Sequence, residues 1–163
     1  MVFLFSLIVG ASAYAGSELK SWTGGPTPPL SLTDLSGRPV NLADFKGKVV
    51  LVNFWATWCA PCIAELPSMQ RLRDKLSVAG FEVLAVNYQE SRKKIDDFLQ
   101  KRPLHLPILR DADGTARAAW NVRTFPTSFI IDADQHIRYV VQGDVDWTSS
   151  SVESRIRELL PKT

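Results

Sequence analysis

Apolar positions along this chain fall into two alternating kinds of run. Lys48-Val-Val-Leu-Val-Asn-Phe-Trp55 and Phe81-Glu-Val-Leu-Ala-Val-Asn-Tyr88 are β-branched and aromatic with almost no polar alternation, as expected of strands covered on both faces. Between them Ile63, Leu66, Met69, Leu72 and Leu76 recur at helical spacing and predict a helix over 60–78, with Gly80 placed to stop it. Ser91 can cap a second helix running through Ile95, Phe98 and Leu99 and ending before Pro103. Leu106 to Leu109 reads as a short strand, and Asp113 as the cap of a helix through Ala116 and Trp120. Phe129-Ile-Ile-Asp132 and Ile137-Arg-Tyr-Val-Val141, separated by Ala133-Asp134-Gln135, fit an antiparallel hairpin, and 151–160 closes the chain as an amphipathic helix. Upstream, Leu30 to Leu35 and Arg38 to Leu42 flank Ser36-Gly37 as a small hairpin. It belongs at a sheet edge, because Pro39 cannot donate to a ladder. Alternating β and α elements, then a hairpin and a last helix, predict an α/β architecture: a central mixed sheet with helices on both sides.

The N-terminal part follows neither pattern. Val2 to Gly10 is almost wholly apolar, and Ala13-Tyr14-Ala15 offers a small-x-small site, so 1–15 reads as a signal peptide cleaved near Ala15, although no Lys or Arg precedes the apolar run. That run is shorter than the roughly 20 residues of a membrane-spanning helix. No Cys follows it closely, which sets aside a lipid anchor. Residues 16–29, rich in Gly and Pro from Gly24 on, read as an extended lead-in, which leaves one domain over 30–163. Composition adds only exclusions. With 45% hydrophobic and 22% charged residues the chain is an ordinary globular one. A net charge of +2, with Lys and Arg scattered, gives no face for nucleic acid, and Arg92-Lys93-Lys94 reads as solvated helix surface. A periplasmic monomer is expected.

The chemistry lies in Trp58-Cys59-Ala60-Pro61-Cys62, where the first long strand gives way to the first helix. A Cys at a helix N-terminus faces unpaired N–H groups and the positive end of the dipole, which favour its thiolate. Cys62, one turn on, can close a disulfide with it. The pattern makes Cys59 the nucleophile at the exposed helix end and Cys62 the resolving thiol. Pro61 is tolerated in a first turn, where its missing N–H costs nothing. Structural zinc needs four ligands, and the other candidates, His105 and His136, lie too far apart for a finger. Haem attachment needs His where Ile63 stands. No metal and no cofactor are expected.

Phe54-Trp-Ala-Thr-Trp-Cys-Ala-Pro-Cys62 resembles the thioredoxin active-site signature, and the likeness runs from about Leu30 to the C-terminus. Glu65 and Pro67 complete a WCxPCxxExP pattern similar to that of the exported TlpA/ResA-like thiol–disulfide oxidoreductases. The strand and helix over 81–103 stand where that branch carries its insertion, and Thr124-Phe-Pro-Thr-Ser-Phe129 resembles its cis-proline loop. The resemblance implies a thioredoxin-like fold with an N-terminal hairpin and a strand–helix insertion. It implies a substrate-binding surface of Trp58, Phe125 and Pro126, the Phe125 backbone being free to pair with an extended substrate. Asn53 departs from thioredoxin, which has a titratable Asp there. As in the resembling branch, Glu65 is expected to take over that duty and to tune thiol acidity, with Glu90 a weaker candidate. Pro67 is expected to kink its helix.

The implied activity is reduction of protein disulfides, with electrons from a membrane thiol transporter. Clients would be copper-site assembly proteins, apocytochrome c or misfolded secreted proteins. The loop lacks the Gly-x-Pro-Glu form of dedicated cytochrome c maturation thioredoxins, which places the first and last slightly ahead. Two rivals use the same fold or thiols. A peroxiredoxin needs Pro-x-x-x-Thr-x-x before its Cys, and Phe54-Trp55 and Thr57-Trp58 stand here instead. A copper carrier or non-catalytic thiol module would bind metal without reducing disulfides.

Overall fold

The computed structural model describes residues 17–162. The expected signal segment therefore lies outside the described residues. One eight-stranded mixed sheet runs through the molecule in the order β1-β8-β7-β4-β5-β6-β2-β3. Its strands are β1 (Lys20–Ser21), β2 (Ser31–Asp34), β3 (Pro39–Asn41), β4 (Val49–Trp55), β5 (Phe81–Tyr88), β6 (Ile108–Asp111), β7 (Thr127–Ile131) and β8 (Ile137–Gln142). The helices are α1 (Ala60–Leu76), α2 (Arg92–Lys101), α3 (Thr115–Ala119) and α4 (Ser150–Leu159).

All seven residues of β4 are buried, since β4 lies between parallel β5 and antiparallel β7 with both faces covered. Parallel pairing of β4 with β5 and of β5 with β6 requires crossovers, and α1 and α2 supply them. Alternate residues of β4 point to opposite cores. Leu51 and Trp55 pack with Met69 and Leu72 of α1, Ile95 of α2 and Ile156 of α4. Val50, Val52 and Phe54 pack with Trp120, Val122 and Phe129 on the other face. Helices thus cover both faces of a thioredoxin-like sheet.

The expected hairpin forms from β2 and β3, with Pro39 on the outermost strand. Two expectations shift. Residues 20–21 of the lead-in pair with Val140 and Tyr139 of β8 as an edge strand. The strand predicted over 106–109 lies two residues later, because Asp111 is fully buried at its end and caps α3. Its carboxylate accepts from the N–H groups of Ala116 (3.0 Å) and Arg117 (2.8 Å). The cap position itself is Gly114, in the left-handed region at φ 77, and Asp113 bonds instead to the Thr115 N–H and hydroxyl. Ser91 caps α2 as expected, accepting from the Lys94 N–H. Gly80 ends the 3-10 turn that follows α1, at φ 93.

Candidate active site

The site lies where the carboxyl end of β4 hands over to α1. Cys59 is the N-cap of α1 in extended conformation, and its sulfur accepts from the Cys62 N–H at 3.3 Å. Cys59 and Cys62 are joined in a disulfide. Burial separates the two sulfurs less than a bare helix end suggests. Cys59 retains 5% exposure and Cys62 none, so the expected exposed thiol is a narrow opening on an otherwise covered bond. Beside it the Phe125–Pro126 peptide bond is cis, and Trp58, next to Cys59 in the chain, is 59% exposed and meets the Phe125 ring edge-on at 5.7 Å. The six residues expected to form the site are grouped at this end of the sheet or directly behind it.

Glu65 is part of the interior. It follows Cys62 by three residues, on the same buried stripe of α1, and is 3% exposed. Its carboxyl accepts from Asn53 Nδ2 (2.7 Å), Trp147 Nε1 (3.1 Å) and the Val145 N–H (3.3 Å). Burial pushes its pKa up to about 8 against the lowering effect of those donors, and the nearby charge of Asp144 adds to the rise. Asn53 also donates to Ser128 Oγ on β7 (2.8 Å), so the residue that departs from thioredoxin joins Glu65 to the sheet.

Glu90 is also buried but faces another duty. It accepts from the Thr57 N–H (2.7 Å), the Thr57 hydroxyl (2.6 Å) and Asn87 Nδ2 (2.8 Å), and pairs with Lys94 Nζ at 2.7 Å. Burial would raise its pKa, but these donors outweigh it and hold the carboxyl below its usual range. It is a charged anchor for the turn that leads into Trp58 and Cys59. Trp147, Val145 and Ser128 carried no signal in the sequence. They stand 82, 80 and 63 residues from Glu65 and meet it, or Asn53 beside it, only in the fold.

Comparison with known proteins agrees with this geometry. The family model described as AhpC/TSA matches residues 23–140. A thiol-disulfide oxidoreductase ResA of Bacillus cereus is 33% identical over 99% of this chain and 94% of its own length. The crystal structure of a Chlorobium tepidum protein described as a putative thiol:disulfide interchange protein DsbE superposes with a TM-score of 0.78 at 30% identity, covering 88% of this chain and all of that one. A secreted Mycobacterium tuberculosis disulfide oxidoreductase, 26% identical, superposes at 0.69 over 80% of this chain and 96% of its own.

Proposed function

This chain belongs to the AhpC/TSA family and is a thiol–disulfide oxidoreductase of the ResA kind, and from that premise we propose that it reduces disulfides of exported proteins. The observation that carries the direction is the buried carboxyl of Glu65 behind the cysteine pair. Strong disulfide oxidants are those whose reduced thiolate is stabilised. A buried carboxyl beside the pair does the opposite: it offers no positive charge to hold a thiolate, and as it ionises near pH 8 its charge disfavours a thiolate nearby, so the dithiol holds its electrons less firmly.

The reaction balances as two exchanges. Cys59, as thiolate, attacks one sulfur of the client disulfide; a bond forms to Cys59 Sγ and the other client sulfur leaves as thiolate. Cys62 loses its proton to Glu65, attacks Cys59 Sγ, and releases the second client sulfur. Two electrons pass to the client, and the pair ends as the disulfide. A carboxyl with a pKa of about 8 is close in acidity to an ordinary thiol near 8.5, and its ionised fraction, which grows as pH approaches 8, is the form that takes the proton. Trp58, Phe125 and Pro126 form the substrate-binding surface, with the Phe125 backbone pairing with the client chain.

We place this work in the periplasm or its equivalent, after removal of residues 1–15. Support comes from the secreted mycobacterial relative. The clients we propose are paired cysteines of copper-site assembly proteins or apocytochrome c, and the electron donor a membrane thiol transporter. Expressing Cys62→Ala in the native host tests the assignment. It should accumulate mixed disulfides with such clients, and Cys59→Ala should not. Equal trapping by both variants overturns the roles, and tight copper binding without disulfide reduction would favour a metal carrier.

A further inference from the structure

A strip of aromatic rings begins at Trp58, the chain neighbour of Cys59, and ends on a cation. Trp58 meets Phe125 edge-on at 5.7 Å, Phe125 lies tilted against Tyr88 at 5.2 Å, and the Arg117 guanidinium sits over the Tyr88 ring at 5.5 Å. Trp58 is exposed, and Phe125, Tyr88 and Arg117 are half-buried. Four separate elements supply these groups: the turn before α1, the loop before β7, the end of β5 and the short helix α3. Gly114 is what lets the last two meet. A Cβ added there would lie 3.0 Å from Tyr88 Cε2, and the position is already at φ 77.

The backbone N–H of Arg117 is bonded to Asp111, but its side chain is not engaged elsewhere. Among the described residues no carboxylate lies within ion-pair distance of it, and its Nε is buried without a hydrogen-bond partner. A half-buried guanidinium held over a ring, with free donors, suits a carboxylate better than any neutral group. Each step along the strip is 5 to 6 Å, so an extended chain rising about 3.3 Å per residue spans it in at most about five residues.

We propose that the strip selects clients: an extended segment whose apolar side chains lie along Trp58, Phe125 and Tyr88, with an Asp or Glu within a few residues of the attacked cysteine paired to Arg117. The proposal rests on the reading of the disulfide site given above.

The test uses the reduced full-length mature protein and synthetic peptides carrying one internal disulfide. Glu, Gln or Lys is placed at each position from three to six residues beyond the nearer cysteine, on either side. On one side, Glu should give about fivefold higher kcat/KM than Gln, and Lys should fall below Gln. The Glu-to-Gln ratio should shrink toward one as ionic strength rises to about 0.5 M. Arg117→Gln should bring the ratio near one at low salt, whereas Arg117→Lys should keep it above one. Because the ratio is taken within each variant, a change in the amount of folded protein cancels. A wild-type ratio of one at every position, or an unchanged ratio in Arg117→Gln, overturns the strip alone. Failure of the wild-type protein to reduce any of the peptides overturns the reading it rests on, and the strip with it.

Discussion

Glu65 shows how far a fold can carry one side chain from its ordinary chemistry. An exposed helix carboxylate would be ionised at neutral pH and would act on Cys59 as a like charge, so that replacing it should lower the thiol pKa by about one unit. Buried and raised to about 8, it is mostly neutral at pH 7, and its charge bears on the thiols only as pH approaches and passes that value. Carboxyl and thiols then titrate as a coupled set. We therefore expect the rate of disulfide-peptide reduction by the wild-type protein to rise in two steps between about pH 7 and 9, and Glu65→Gln to show one. Resolution of the mixed disulfide should slow on the order of 100-fold above about pH 8, where the carboxyl is ionised and can act as a positioned general base. Rapid-quench mixing with a labelled peptide measures both. Two steps persisting in Glu65→Gln would assign proton transfer to another group.

Between elements, the strand–helix insertion of β5 and α2 is tied to the catalytic turn by Glu90. Its carboxylate takes both donors of Thr57, two residues before Cys59, while Lys94 reaches it from the first turn of α2. Glu90→Gln keeps one acceptor oxygen but loses the charge and takes the acceptor from the two donors that share the other oxygen. Each hydrogen bond to a charged group contributes roughly 1.5–3 kcal/mol, so a loss on the order of 2 kcal/mol is expected. Lys94→Ala, on the half-exposed side of the same pair, should cost under about 1 kcal/mol. Urea titrations of the oxidised forms give both values. Equal losses would mean that the carboxylate serves α2 more than the turn.

At the scale of the whole molecule, Glu65 imposes a pH dependence on stability. Its pKa is raised from 4.5 to about 8 on folding. Between those values the native carboxyl keeps a proton that the unfolded chain releases. The stabilisation is therefore complete below pH 4.5, falls as pH rises toward 8, and changes no further above it. The span corresponds to a difference on the order of 5 kcal/mol. Other groups titrate in the acid range, Glu90 with the opposite sign, because its pKa is lowered and its contribution is lost as pH falls. The measurable quantity is hence the difference between wild type and Glu65→Gln. In the oxidised proteins the variant should gain on the wild type from pH 5 to pH 9, by denaturant midpoint. A constant difference would place the Glu65 carboxyl at an ordinary acidity.

The sequence by itself determined the order of elements, the two-sided burial of β4 and β5, the position of the redox pair at a helix start and the proline loop facing it. Each is written locally, in periods of two or 3.6, in caps and breakers, or in a contiguous motif. Local pattern also misled where two caps competed: Asp113 matched a capping signal, but Asp111, at the buried end of β6, takes the N–H groups of α3. What only the tertiary structure decided is the environment of the charges. Trp147 and Val145 reach Glu65 from beyond β8, and Asn53 reaches it from β4. Glu90 turns toward Thr57, and Arg117 lies over Tyr88. Those meetings depend on long-range packing, and an acid's ionisation follows its solvation and donors, which chain neighbours do not specify.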